Sequence, residues 1–182
     1  MFSKLVPPHG GRGLVCALLA GSEREAELER AKTLKQIEVS DRAKGDLIMM
    51  GIGGFSPLDG FMTRADWKGV CENFQMADGT FWPVPITLDV AKADAAGIKV
   101  GDEITLVNKG EIYATMKVAE KYEMTDADKK WECEKVFKGN GEESADDKFW
   151  KIAMEDHPGV KMVMAQKEFN LAGRVKVVSE GE

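Results

Sequence analysis

The feature that most constrains the fold is a pair of alternating apolar and polar runs in residues 101–124, GDEITLVNKGEIYATMKVAEKYEM. Alternation with a period of two places every second side chain on one face of a strand. The two runs meet at Asn108-Lys109-Gly110, and a short connection of this kind is typical of a β-hairpin. The sequence therefore predicts an antiparallel hairpin within this stretch.

Further strand candidates lie on both sides of this hairpin. They are short apolar or β-branched runs, namely KQIEVS at 35–40, DLIMMGI at 46–52, VKMVMA at 160–165 and RVKVV at 174–178. Residues 77–90, ADGTFWPVPITLDV, start with a turn at Asp78-Gly79 and continue as an extended segment. Pro83 and Pro85 are two residues apart, so both missing N–H groups point the same way, which predicts an edge strand.

Three helices are indicated by Ser or Thr three residues before an acidic residue, the pattern of an N-terminal capping box. The pairs are Ser22 with Glu25, Thr63 with Asp66, and Thr125 with Asp128. The first helix, over 22–35, has Leu28, Ala31 and Leu34 on one side, and the third carries Trp131 and Phe137. In the second, Trp67, Val70, Cys71 and Phe74 lie at i, i+3, i+4 and i+7, which predicts a buried stripe. Truncating Phe74 to Ala is expected to cost about 3–5 kcal/mol.

The remaining segments give weaker signals. Residues 5–11, LVPPHGG, are too rich in proline and glycine for regular structure. Residues 138–144, KGNGEES, predict a flexible loop, and 145–156, ADDKFWKIAMED, a last helix. His157–Val160, HPGV, predicts a turn.

These elements define the fold class. Strands dominate the middle and the end of the chain, and the helices do not follow a β-α-β rhythm, so a doubly wound parallel sheet is not expected. We expect a compact α+β domain with a mixed or antiparallel, barrel-like sheet and added helices, formed by residues 1–182 as a single domain.

Charge and cysteine content narrow the possible partners. The net charge is −6, and residues 120–157, with 12 acidic and 7 basic side chains, contribute −5 of it. Nucleic-acid binding needs clustered Lys and Arg, and the sequence has no such cluster, so we expect no nucleic-acid partner. Cys16, Cys71 and Cys133 form no C-x-x-C pair, which favours buried, reduced thiols in a cytoplasmic protein over a metal site.

No apolar run is long enough to span a membrane, so we expect no membrane partner. Residues Leu14–Gly21, LVCALLAG, resemble the apolar core of a signal peptide only weakly, because the core is short and the PPHGGRG segment before it is a poor charged leader.

The glycine-rich segment Gly51–Met62, GIGGFSPLDGFM, does not match a nucleotide-binding loop. A dinucleotide fingerprint needs a third glycine where Ser56 stands, followed by a helix start instead of a Pro-Leu-Asp-Gly turn. The segment is therefore interpreted as a tight turn, with Phe55 and Phe61 packed inward.

The histidines His9 and His157 form no H-x-x-H motif, no G-x-S-x-G elbow is present, and His157 is interpreted as a turn residue and not a base. We accordingly predict no catalytic, substrate-binding or metal-ligating residue in this chain, and no cofactor.

Six segments together resemble a known family. They occur in the order LVPPHGG, KGDLIMMGIGGFSPLDGFM, DGTFWPVPITLDV, ATMKV, DHPGVKMVM and EFNLAG. In this order they resemble the N-terminal region of ATP sulfurylase (sulfate adenylyltransferase), especially forms from sulfate-reducing bacteria. The resemblance extends over essentially the whole chain.

The resemblance implies a PUA-like β-barrel with added helices, followed by a separate α/β nucleotidyltransferase domain. It also implies the reaction of the parent enzyme, in which sulfate attacks the α-phosphorus of MgATP to give adenosine 5′-phosphosulfate and pyrophosphate. The family's catalytic segments, a Gln-x-Arg-Asn-Pro stretch, an H-x-x-H and a Gly-Arg-Asp, are absent from this sequence. No catalytic residue is therefore carried over, and the chain alone is expected to be inactive.

The partners implied by the resemblance are the catalytic domain of the same protein and, for the full-length enzyme, further copies of itself. MgATP would be a substrate of the parent. The alternative is a free-standing PUA-like module that binds RNA or a small molecule; the acidic charge argues against RNA.

Overall fold

The computed structural model describes residues 6–137 and 157–181. Within these ranges the strands are β1 (Lys35–Glu38), β2 (Gly60–Phe61), β3 (Leu88–Val90), β4 (Glu103–Asn108), β5 (Glu111–Lys117), β6 (Glu120–Glu123) and β7 (Phe169–Val177). The helices are α1 (Gly21–Ala31), α2 (Asp41–Gly51), α3 (Arg64–Asn73), α4 (Lys92–Ala96), α5 (Asp126–Phe137) and α6 (Pro158–Met164), and a 3-10 turn spans His9–Gly11.

The hairpin predicted in the middle of the chain is confirmed. β4 and β5 pair antiparallel from Glu103 opposite Lys117 to Asn108 opposite Glu111, with a register shift at Leu106/Val107. Both connecting residues have positive φ, 52° for Lys109 and 84° for Gly110. Such a two-residue connection matches the right-handed twist of the strands.

β7 is the centre of the sheet. The strand order is β1-β4-β5-β7-β2, and β3 and β6 also pair with β7. All pairs with β7 are antiparallel, whereas β1 lies parallel to β4. One strand that pairs with four others curls the sheet into a half-barrel, which confirms the α+β fold with a mixed, barrel-like sheet.

A close approach between β2 and β7 requires glycine. A Cβ on Gly60 would lie 1.9 Å from the carbonyl oxygen of Gly173, and a Cβ on Gly173 would lie 2.0 Å from the carbonyl oxygen of Lys117. Real Cβ atoms do not approach backbone atoms this closely. The two glycines therefore allow β2 and β5 to lie close against β7.

Two predicted helices form largely as expected. The Thr63–Asp66 capping box is present in α3, and Trp67, Val70 and Cys71 are buried. Phe74, however, is the C-cap of α3, with a left-handed φ of 56°, and is only half-buried. The prediction that Phe74 continues the buried stripe is therefore wrong, because the helix ends before its side chain reaches the core.

The predicted capping pair of α5 is also confirmed. Thr125 and Asp128 exchange hydrogen bonds at the start of α5, in which the Thr125 Oγ1 accepts from the Asp128 N–H at 3.1 Å.

Three local predictions are wrong. Residues 46–51 belong to helix α2 and Ile52 is its C-cap; the N-cap Ser40 accepts a hydrogen bond from the N–H of Ala43. Residues 160–165 fall in α6 and its C-cap; His157 caps this helix, and Pro158 suits its first position because its missing N–H has no partner there anyway. Ser22 does not cap α1, which starts at Gly21 after Ala20 without a side-chain cap.

Smaller differences concern the prolines and the cysteines. β3 covers only Leu88–Val90, so Pro83 and Pro85 lie in an irregular segment before it and not in an edge strand. Cys71 and Cys133 are buried as expected, but Cys16 is exposed. The predicted loop at 138–144 and helix at 145–156 lie outside the described residues.

The apolar side chains form a main core and a smaller cluster. The main core fills the half-barrel and contains Leu47, Met50, Leu106, Tyr113 and Leu171, while the smaller cluster joins α3 to β6 through Trp67, Cys71, Tyr122, Met124 and Ala172. In the part of the chain that the structure describes, no helix has the length and apolar character needed to cross a membrane.

Candidate functional site

The glycine-rich segment forms a closed turn. Gly53 has a φ of 78°, and its amide together with those of Ser56 and Leu58 donates to backbone oxygens nearby. Phe61 is buried, and Phe55 contacts the Trp82 ring edge-on at 5.7 Å. The inward packing expected for this turn is confirmed, and these three amides are occupied by the turn itself.

The two histidines lie in separate surroundings. His9 is exposed, with Nε2 2.6 Å from the carbonyl oxygen of Phe81. His157 accepts a hydrogen bond from the Gly159 N–H at 3.0 Å, and its ring lies 4.7 Å from that of Phe137. His157 is thus a helix cap, and within the described ranges neither imidazole is hydrogen-bonded to a carboxylate.

A cleft between α3 and α5, of about 350 Å³, is lined by Arg64, Trp67, Lys68, Glu72, Asp128 and Trp131. The Arg64 guanidinium donates to Asp128 at 2.8 Å and to the carbonyl oxygen of Glu123 at 2.7 Å, and lies 5.4 Å from the centre of the Trp67 ring. Because Arg64 belongs to α3 and bonds to Asp128 of α5, we interpret Arg64 as a clamp between the two helices.

A cavity of about 340 Å³ between α2, α5, α6 and residues 84–86 is the strongest candidate site. Most of its wall is apolar, formed by Phe55, Val84, Pro85, Ile86, Val136, Phe137, Gly159, Met162 and Val163. The polar side chains of the wall are Arg42, Asp46 and Glu132. An apolar cavity with a few convergent polar groups is the usual form of a ligand site.

Asp46 is placed in this wall by the periodicity of α2. The buried residues Ala43, Asp46, Leu47 and Met50 follow the i, i+3, i+4, i+7 pattern, so the carboxylate occupies a core-facing position. Asp46 is 9% exposed, and its Oδ2 has no hydrogen-bond partner. The nearest cation, Arg42 Nε, is 3.9 Å from this oxygen. Burial raises the pKa of Asp46 to about 6.

Glu132 supplies a second buried carboxylate from α5. It is 4% exposed, and its Oε2 accepts a hydrogen bond of 2.7 Å from the Trp67 Nε1. Burial raises the pKa of Glu132, while the Trp67 bond and the charge of Arg42 act in the opposite direction. Arg42 therefore interacts with both acids, and one guanidinium faces two carboxylates.

Sequence reasoning missed this site because residues 46–52 were interpreted as a strand. Read as a helix, the same residues place a carboxylate among the apolar side chains of one face, and a charge in such a stripe is a signal of function. Glu132 carried no comparable signal, since it lies in a helix rich in charged residues. No group of three or more His, Cys, Asp or Glu suited to a metal ion occurs among the described residues.

Comparison with known proteins defines the class. A family model described as "PUA-like domain" matches residues 6–180, and the chain belongs to this family.

Several curated relatives that match the chain are named sulfate adenylyltransferase, which confirms the resemblance seen in the six segments. The protein from Desulfovibrio desulfuricans is 68% identical over 180 residues, which are 99% of this chain and 42% of the relative. The one from Thiobacillus denitrificans is 52% identical over 181 residues, covering 98% and 40%. The chain therefore spans about two fifths of the length of these relatives.

A solved structure described as a hexameric APS kinase from Thiobacillus denitrificans shares the fold. The TM-score is 0.67 at 24% identity, with 98% of this chain and 28% of the other covered.

Proposed function

We propose that this chain is the N-terminal, non-catalytic domain of an ATP sulfurylase, and that residues 1–182 form that single domain. The parent enzyme would convert MgATP and sulfate to adenosine 5′-phosphosulfate and pyrophosphate. The observation that supports this is the 68% identity across 99% of the chain to a protein more than twice as long.

The arrangement of the arginines supports the non-catalytic part of the proposal. Transfer of the adenylyl group brings polyanions together, so it needs placed cations and N–H donors. The chain has six arginines; five of them bond to a partner within the domain, and Arg42 lies 3.9 Å from Asp46. Their partners are Asp78 for Arg12, the Val178 carbonyl for Arg24, Glu27 and Glu103 for Arg30, Asp46 for Arg42, Asp128 for Arg64 and Asp59 for Arg174.

The partners in this proposal are the remainder of the parent protein and further copies of it, in the cytoplasm. The structural relative is named as a hexamer, which is consistent with assembly. Exposed apolar side chains beside the glycine-rich turn, Leu14, Met49 and Ile52, offer a surface for such contacts. No nucleic acid or membrane is proposed as a partner.

Coupled ATP detection with adenosine 5′-phosphosulfate and pyrophosphate tests the proposal. The purified 182-residue chain should form no ATP, and a longer protein that includes the Gln-x-Arg-Asn-Pro region should form it. A mock preparation is the control. ATP formation proportional to the amount of the 182-residue chain would contradict the proposal.

Binding of an unstructured RNA with micromolar affinity at about 0.15 M salt would favour the alternative of an RNA-binding module.

A further inference from the structure

We propose that the cavity between α2, α5 and α6 binds a small organic cation, an ammonium or guanidinium group on an apolar body, through the carboxylate of Asp46. This site is independent of the proposed function, since neither the domain assignment nor the missing catalytic segments bear on it.

The first argument is the unsatisfied charge. A buried carboxylate is costly unless it is paired and hydrogen-bonded. Asp46 Oδ2 has no hydrogen-bond partner, and its 3.9 Å separation from Arg42 Nε is too long for a hydrogen bond. Glu132, by contrast, already accepts from Trp67. Asp46 is thus the carboxylate of the wall that has no donor, and the proposed ligand would supply one.

The second argument is the balance of charge in the cavity wall. Among the lining residues that the structure describes, ionised Asp46 and Glu132 outnumber the cation Arg42 by one negative charge. An anionic ligand would add a further negative charge beside Asp46. A monocation brings the lining to neutrality and is the favoured ligand.

The third argument is the shape and polarity of the rest of the wall. A volume of about 340 Å³ is within the range of small-molecule sites. The side chains of Val84 and Met162 are 44% and 49% exposed, so they form an open apolar rim. A ligand whose apolar body packs against this rim would place its charged head near Asp46. The Asp46 side chain is 12% exposed.

The test is titration of the 182-residue chain with n-butylammonium, followed by calorimetry and by backbone amide chemical shifts. 1-Butanol and butyrate serve as neutral and anionic probes of the same length. We expect saturable binding of n-butylammonium and at least tenfold weaker binding of both other probes.

The matched variants are Asp46→Asn in the cavity and Asp59→Asn, which makes the same chemical change in a residue that is not part of the cavity lining. Asp46→Asn should weaken n-butylammonium binding at least tenfold, whereas Asp59→Asn should leave it unchanged. Glu132→Gln retains an acceptor for Trp67 and should weaken binding less than Asp46→Asn. It also provides a second test if Asp46→Asn does not fold.

Proton competition gives a further readout. Within residues 6–137 and 157–181, the charged groups of the lining that face Asp46 are Arg42 on its own helix and Glu132 on α5. With its pKa raised to about 6, Asp46 is mostly protonated at pH 5. Binding should be roughly tenfold weaker at pH 5 than at pH 7.5.

Three results would overturn the proposal. They are the absence of saturable n-butylammonium binding, equal binding of 1-butanol, and unchanged affinity in Asp46→Asn. Any of these results would mean that water molecules alone hydrogen-bond the Asp46 carboxylate.

Discussion

Replacing Asp46 by Asn should stabilise the protein. The pKa of Asp46 rises from 3.8 to about 6 in the fold because burial disfavours the charged form. Each pKa unit corresponds to about 1.4 kcal/mol, so ionised Asp46 costs about 3 kcal/mol above pH 6. The amide of Asn remains a buried polar group and loses the distant attraction to Arg42, which reduces the expected gain to about 1–3 kcal/mol.

The sign of the pH dependence follows from the raised pKa. The folded state holds the proton more tightly than the unfolded state, so the cost is fully present above about pH 6 and disappears below 3.8. The stability difference between Asp46→Asn and the parent should therefore be largest at pH 7.5 and should be about 2 kcal/mol smaller at pH 4.5. Other titrating groups, such as Glu132, are present in both proteins, so their contributions largely cancel.

Urea unfolding followed by tryptophan fluorescence, at pH 7.5 and at pH 4.5, measures this difference. Asp59→Asn is the control, because Asp59 forms an exposed ion pair with Arg174 and its loss should cost at most about 1 kcal/mol. An Asp46→Asn protein that is no more stable than the parent at pH 7.5 would refute the argument. So would a difference that does not shrink at pH 4.5.

Other substitutions test other parts of the fold, each by its urea midpoint. Glu27→Gln should destabilise the protein by about 2 kcal/mol at pH 7, since the hydrogen bond from Arg30 lowers the pKa of Glu27 from 4.5 to about 2. This stability difference should vanish as the pH falls through that range, and a difference independent of pH would contradict the prediction. Gly60→Ala should lower the free energy of unfolding by at least about 3 kcal/mol, because the new Cβ would meet backbone atoms. Gly45→Ala, in open space within α2, should raise it by about 0.5–1 kcal/mol. Equal effects of the two substitutions would refute the close approach at Gly60. Val70→Ala should cost about 2 kcal/mol, and Phe74→Ala should cost less than the 3–5 kcal/mol of a fully buried phenylalanine, so a larger loss at Phe74 would show that its exposure is misjudged.

Elements fixed by neighbouring residues could be predicted from the sequence. The hairpin at Lys109-Gly110 depends on alternation and on positive φ at the connection, both of which are local. The Thr63–Asp66 and Thr125–Asp128 pairs likewise bind within one helical turn.

Short apolar runs were the main source of error. Residues 46–52 and 160–165 fit a strand or a helix equally well over so short a length, and the choice was made by the caps at Ser40 and His157. The strand prediction for residues 46–52 also prevented prediction of the candidate site, because it is the helix that brings Asp46 to the core-facing side. Conversely, Ser22 and Glu25 matched a capping box where the helix starts without one.

The strand order of the sheet could not be predicted from the sequence, for a different reason. The parallel pairing of Lys35–Glu38 with Ile104–Val107 joins segments about seventy residues apart, and nothing in either segment specifies the other. Such pairings are decided by the packing of the whole core.

The central position of β7 has a consequence for synthesis of the protein. Phe169–Val177 pairs with β2, β3, β5 and β6, yet it is among the last parts of this sequence to leave the ribosome. A nascent chain that ends before this segment has four strands with an unpaired edge, and such edges invite pairing with other chains. The half-barrel closes only when β7 has emerged, so the edges of β2, β3, β5 and β6 stay uncovered until that point.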